Sequence, residues 1–150
     1  MPLLEKINTD ITAALKSGDT QKRQVLGMVK AALTNARIAK KKPELTDDEI
    51  IAVISKEAKS RREAAVEYRK GRAEDRAKSE EAEAALLEAY LPPQMSQEEI
   101  IKAIDEALVK TGVTVAKEIG KVMGVLSKKL KGRADLKKVN ELLRKKLSGE

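Results

Sequence analysis

The chain has 150 residues, with no Cys, His, Trp or Phe and only two Tyr. Those absences remove thiol nucleophiles, Cys/His zinc sites, disulfides, imidazole general bases and any Ser–His–Asp arrangement. The net charge of +7 is uneven: residues 1–92 hold 18 basic against 16 acidic side chains, residues 93–150 hold 13 against 8, and residues 117–146 hold 11 against 3.

Ala, Leu, Glu, Lys and Arg dominate, β-branched and aromatic runs are missing, and the composition is that of an all-α protein with an aliphatic core. The first residues lack a basic segment followed by an apolar stretch, so no secretory signal is expected. No apolar run approaches the ~18 residues of a membrane span. The expected location is the cytoplasm.

The first predicted helix carries Leu3, Leu4, Ile7, Ile11 and Leu15 at three- and four-residue spacing and stops at Gly18. A second begins after Asp19 or Thr20, with Val25, Leu26, Val29, Leu33 and Ala36 as its apolar stripe. It ends in the lysine run before Pro43. Thr46-Asp47-Asp48-Glu49 is a capping box with Leu45 and Ile50 placed as a hydrophobic staple, and it opens a third helix over 47–70. Gly71 allows a break. A fourth helix over 73–90 is rich in Ala and Glu. The two polar helices are expected to form an antiparallel pair.

Pro92-Pro93 is the best domain boundary. It divides the chain into an N-terminal helical domain, residues 1–91, and a C-terminal three-helix domain, residues 94–150. Tyr90, beside the prolines, is expected to pack between the domains. Ser96-Gln97-Glu98-Glu99 is a second capping box, flanked by Met95 and Ile100. It starts a fifth helix that ends at Thr111-Gly112. Thr114 is expected to cap a sixth helix over 115–130, Gly132 to supply a left-handed stop, and Asp135 to cap a seventh over 136–147.

The sixth helix holds the most informative pattern. At about 100° per residue, Lys121, Lys128 and Lys131 fall within about 40° of Lys117. Gly124 lies inside this stripe and Gly120 at its edge. Ile119, Val122, Met123, Leu126 and Leu130 occupy the opposite side. Each helical glycine costs about 1 kcal/mol relative to Ala. Bare positions among lysines let a large anionic partner approach the backbone. Close packing of another helix is the alternative, especially at Gly120.

The following turn adds Gly132 and Arg133 and the amides that open the last helix, a natural anion site; Lys137 and Arg144 extend the positive surface. Gly132 also reads simply as a helix stop, and Asp135 as a cap rather than a catalytic acid. A basic surface without aromatics favours contact with the backbone of folded RNA or DNA over base stacking.

No phosphate-binding GxxxxGK[ST] loop or dinucleotide fingerprint is present. Asp47/Asp48, Glu80/Glu81 and Glu98/Glu99 lie at or near helix starts, where they complement the helix dipole. No catalytic residue, metal site or cofactor is expected.

Several stretches are similar to the GatB/YqeY family, and to its free-standing YqeY-like members. They are LLEKIN from Leu3, RQVLGMVKAAL from Arg23, ELTDDEII from Glu44, EAYLPPQMSQEEI from Glu88 and GKVMGVLSKKLKGRADLKKVNELL from Gly120. Leu136 departs from the Gly or Pro frequent in relatives. The resemblance implies an N-terminal helical domain and a C-terminal three-helix domain. It also implies kinship with the tail of the B subunit of the glutamine-dependent tRNA amidotransferase, a tail thought to contact the body of tRNA. Carried over, the matching positions are Gly120, Lys121, Gly124, Lys128, Lys131, Gly132 and Arg133.

The expectation is a non-catalytic nucleic-acid-binding module. Its partner would be tRNA or a tRNA-like RNA, linked to tRNA-dependent amidotransferase or translation. One alternative is a protein-interaction adaptor or accessory of an amidotransferase or translation protein. A carbon–nitrogen ligase with glutamine as amido donor, the family's label, is the third reading.

Overall fold

The structure is a computed structural model that describes residues 2–149. All regular structure in it is helical: α1 (Leu3–Ser17), α2 (Thr20–Ala39), α3 (Asp47–Lys70), α4 (Glu74–Glu88), α5 (Gln97–Thr111), a short 3₁₀ turn (Ala116–Glu118), α6 (Ile119–Leu130) and α7 (Leu136–Ser148). The chain divides into two compact units, Met1–Leu91 and Pro92–Glu150.

In the first unit, Gly18 ends α1 at φ 76°, a left-handed value that favours glycine. The Asp19 side chain accepts from the Lys22 amide and opens α2. Ile7, Val25, Leu26, Val29, Leu33, Ile50 and Ile54 are buried together. Leu15, expected on the inner stripe, is 60% exposed, and Ala14 is buried in its stead. Ala14, seven residues after the buried Ile7, shares its face, and Leu15 lies at the edge of it.

Both bonds of the Thr46–Glu49 capping box form. Glu49 also takes Lys40 and Lys42 as ion-pair partners, which hold its carboxyl well below the usual carboxylate range. The turn that joins α2 to α3 is thereby tied at both ends.

Helices α3 and α4 run antiparallel. Arg62 pairs with Glu88, Arg61 with Glu83, and Arg69 with both Glu81 and Glu74, so partners descend along α4 as they ascend along α3. Ala58, Ala65, Ala77 and Ala84 are buried, and small side chains let the two backbones approach closely. Arg61 is the one buried charged residue among those described. Its Nη1 donates to Glu57 Oε2 at 3.0 Å, and its Nε lies 3.4 Å from Glu83 Oε2, an ion pair without hydrogen-bond geometry. The bend between the helices places Arg72, rather than the neighbouring Gly71, at left-handed φ 60°.

Tyr90, expected between the two parts, is engaged within the first unit. Its hydroxyl donates to Asp10 Oδ2, and Lys6 Nζ lies 5.4 Å from its ring centroid. It packs against the core of α1–α4.

In the second unit, the Ser96–Glu99 capping box forms and Gly112 closes α5 at φ 69°. Ile104, Val122, Leu126, Leu130, Val139 and Leu143 are buried together. Each such side chain contributes roughly 2 kcal/mol by burial. Ile119 and Met123 are half-buried against them. The expected cap at Thr114 does not occur. Ala116–Glu118 forms a 3₁₀ turn without a side-chain cap, and α6 starts only at Ile119. An exposed 3₁₀ turn satisfies part of the helix start by tighter bonding, so no hydroxyl is needed.

Candidate nucleic-acid interface

Gly120, Lys121, Gly124 and Lys128 all lie on α6 and all are exposed. The buried Val122, Leu126 and Leu130 fix the rotation of the helix, and that rotation turns these four positions outward. A Cβ placed at Gly120 or Gly124 would meet no atom within 4 Å. Neither glycine has a positive φ. Neither close packing within the structure nor a strained backbone therefore accounts for them. The outer face of α6 is bare backbone at Gly120, before the exposed Lys121, and at Gly124, between Lys121 and the exposed Lys128.

Lys117 and Lys131 do not belong to the same helical stripe. Lys117 sits in the 3₁₀ turn, and Lys131 follows the last α6 residue at φ −54°, ψ 123°. The spacing of about 100° per residue does not extend to either. Both are exposed and flank the ends of α6. Lys121 Nζ lies 3.9 Å from Glu118 Oε1, a distant contact on a side chain that is 70% exposed.

The turn after α6 is more tightly held than its sequence suggests. Gly132 takes φ 73°, and the amides of Arg133 and Ala134 both donate to the Leu130 carbonyl. The Gly132 carbonyl accepts from Gln94 Nε2 at 2.7 Å, and Arg133 Nε donates to the Pro93 carbonyl at 3.1 Å. The Met95 amide donates to the Arg133 carbonyl at 2.9 Å. Asp135 caps α7 by accepting from the Lys137 amide at 3.1 Å. The amides of Arg133 and Ala134 in the turn, and that of Lys137 at the start of α7, are thus engaged internally. Arg133 is half-buried and holds the turn through Nε.

On α7, Lys137 and Arg144 are seven residues apart and share a face. Both are exposed, and Arg144 Nε donates to Asn140 Oδ1 at 2.8 Å, which orients its guanidinium along the helix. Lys138 and Lys145 are also exposed. They escape a reading centred on α6, although the apolar pattern of Val139, Leu142 and Leu143 already turns them outward. Two other basic residues are neutralised by α5: Lys129 pairs with Glu106 at 3.2 Å and Lys146 with Asp105. Those contacts tie α6 and α7 to α5.

Among the described residues no group of three or more His, Cys, Asp or Glu side chains is placed to hold a metal ion. No described helix is long and apolar enough to cross a membrane.

The chain is similar to a fungal protein described as "Altered inheritance of mitochondria protein 41, mitochondrial", from Pyrenophora tritici-repentis (strain Pt-1C-BFP). The two are 28% identical over 135 residues, which span 88% of this chain and 73% of the relative. The family described as "Yqey-like protein" matches residues 4–147, which include α2 to α6 whole and nearly all of α1 and α7. The chain belongs to the YqeY-like protein family.

Proposed function

We propose that this protein is a non-catalytic RNA-binding module that recognises tRNA or a tRNA-like fold, in a cytoplasmic process linked to tRNA-dependent amidotransferase or translation. The observation that carries the reading is the empty space over Gly120 and Gly124, beside the exposed Lys121 and Lys128. A sugar–phosphate backbone can approach the bare helix there while the lysines reach its charges. The exposed basic groups of α7 enlarge the positive surface. The lack of exposed aromatic platforms in this unit favours folded or duplex RNA over single strands.

Electrophoretic mobility measurements with total tRNA test the reading. Affinity should fall steeply with salt, and Lys121→Glu with Lys128→Glu should abolish the shift. Absence of any complex at low salt would refute it. A second reading, a protein-interaction adaptor, is favoured by Met28 and Ile38, which are 60% and 61% exposed on α2. It predicts an amidotransferase or translation protein that copurifies after nuclease treatment and is lost with Met28→Glu.

A further inference from the structure

A cleft of about 280 Å³ lies in the first unit, between α1, α2 and the segment that leads into α3. Its floor is aliphatic: Leu33 and Ile50 are buried, and Leu4 and Leu45 are half-buried beside them. Lys30, Thr34 and Arg37 line one wall at helical spacing, Asn8 lines the opposite wall, and Glu44 lies at the third side. The volume is at the small end of ligand pockets, which run from roughly 300 Å³ upward. A nucleotide is too large for it, whereas a small metabolite fits.

Two observations define the chemistry. First, Asn8 Oδ1 is enclosed and accepts no hydrogen bond. A buried unpaired acceptor is costly, and it is relieved by a ligand or solvent donor. Second, Lys30, Arg37 and Glu44 line one small cleft, yet among the described residues none of them forms an ion pair. Arg37 is held only by a 3.4 Å contact from Nη1 to the Lys42 carbonyl, which positions it at the rim. Elsewhere in this unit neighbouring opposite charges pair, as Lys40, Lys42 and Glu49 do. A cleft that keeps both signs apart over an apolar floor suits a ligand that carries both signs and an aliphatic group.

We infer that this cleft binds a free aliphatic α-amino acid. The carboxylate faces Lys30 and Arg37, the ammonium donates to Asn8 Oδ1 and Glu44, and the side chain covers Leu33, Leu45 and Ile50. The site is independent of the RNA surface, because it uses no residue of α5–α7.

Titration of the full-length ¹⁵N-labelled protein, followed by amide chemical shifts, tests the inference. L-Leucine should give saturable shifts at Asn8, Lys30 and Leu45. Three truncated probes should each bind at least about tenfold more weakly: 4-methylpentanoate lacks the ammonium, 3-methylbutylamine lacks the carboxylate, and glycine lacks the apolar group. Lys30→Met and Glu44→Gln alter exposed side chains and leave the fold intact, and each should weaken leucine binding about tenfold. Asn8→Leu should abolish binding. The inference is overturned if about 10 mM leucine gives no saturable shift. It is also overturned if any truncated probe binds as tightly as leucine, or if Lys30→Met and Glu44→Gln both bind like the parent.

Discussion

Replacing Gly124 by Ala separates the demands of folding from those of binding. The position is interior to α6, its φ is not left-handed, and the new methyl would meet nothing within 4 Å. The structure therefore opposes none of the helix-propensity gain, about 1 kcal/mol. Gly120, in the first turn of α6, should gain roughly half as much. Amide hydrogen exchange at Val122 and Leu126 reads this locally, and protection should rise about fivefold for Gly124→Ala. The same methyl occupies the space through which a phosphate backbone would approach, and it stands off from the helix by about 1.5 Å. Forced crowding of that size costs roughly 1–3 kcal/mol, so tRNA affinity should fall between about 5-fold and 150-fold. Gly27 on α2 supplies the control, because a Cβ there also meets nothing within 4 Å. Gly27→Ala should stabilise its own helix by about 1 kcal/mol and leave tRNA binding unchanged. If Gly124→Ala stabilises α6 and binds tRNA like the parent, the glycine does not serve ligand approach. If it destabilises α6, the reading of the open space is wrong.

Three further outcomes probe the first unit. Arg61→Ala strands the partly buried carboxylates of Glu57 and Glu83 and should cost about 3 kcal/mol, seen as a Tm lower by about 10 °C or more; a loss under about 1 kcal/mol would mean solvent screens the cluster. Burial, and then the hydrogen bond to Asp10, raise the Tyr90 phenol above its usual value of 10.0, so the folded state resists its ionisation while the unfolded chain ionises freely. That contribution is complete below pH ~10 and fades as pH rises further, so Tyr90→Phe should flatten the alkaline fall in stability measured by denaturant titration, and an unchanged slope would contradict the assignment. Arg72→Gly relieves a left-handed arginine and should raise the denaturant midpoint by up to about 1 kcal/mol of stability without a change in slope; a lower midpoint would show that the arginine side chain stabilises the bend.

The helices were legible because their signals are local. Apolar spacing located α1 to α7, and the capping boxes at Thr46 and Ser96 fixed the starts of α3 and α5, since each box lies within four residues. The outward face of α6 was legible for the same reason, from Val122, Leu126 and Leu130 alone. What escaped depends on distant partners or on energetic near-ties. Thr114 offered a hydroxyl in the right place, but the chain chose a 3₁₀ turn. Leu15 is the more apolar of two adjacent residues on α1, but Ala14 is the one that shares the face of Ile7. Arg133 looked like one more surface cation because its acceptor, the Pro93 carbonyl, is 40 residues away. Lys129 and Lys146 carry no mark of their pairing with α5. Tyr90 stood next to the prolines, and nothing near it in sequence marked its partner Asp10, 80 residues away.

The proline pair also sets where the C-terminal unit can be cut. Gln94 donates to the Pro92 carbonyl as well as to Gly132, and Arg133 donates to Pro93. A fragment that begins at Gln94 keeps every helix of the unit yet loses two of the acceptors that lock the basic turn. Its Arg133 would swing free, and its Gln94 would hold Gly132 without its own anchor. The smallest piece that retains the shape of this turn begins at Pro92, so a weak result from a shorter piece would measure the cut rather than the surface.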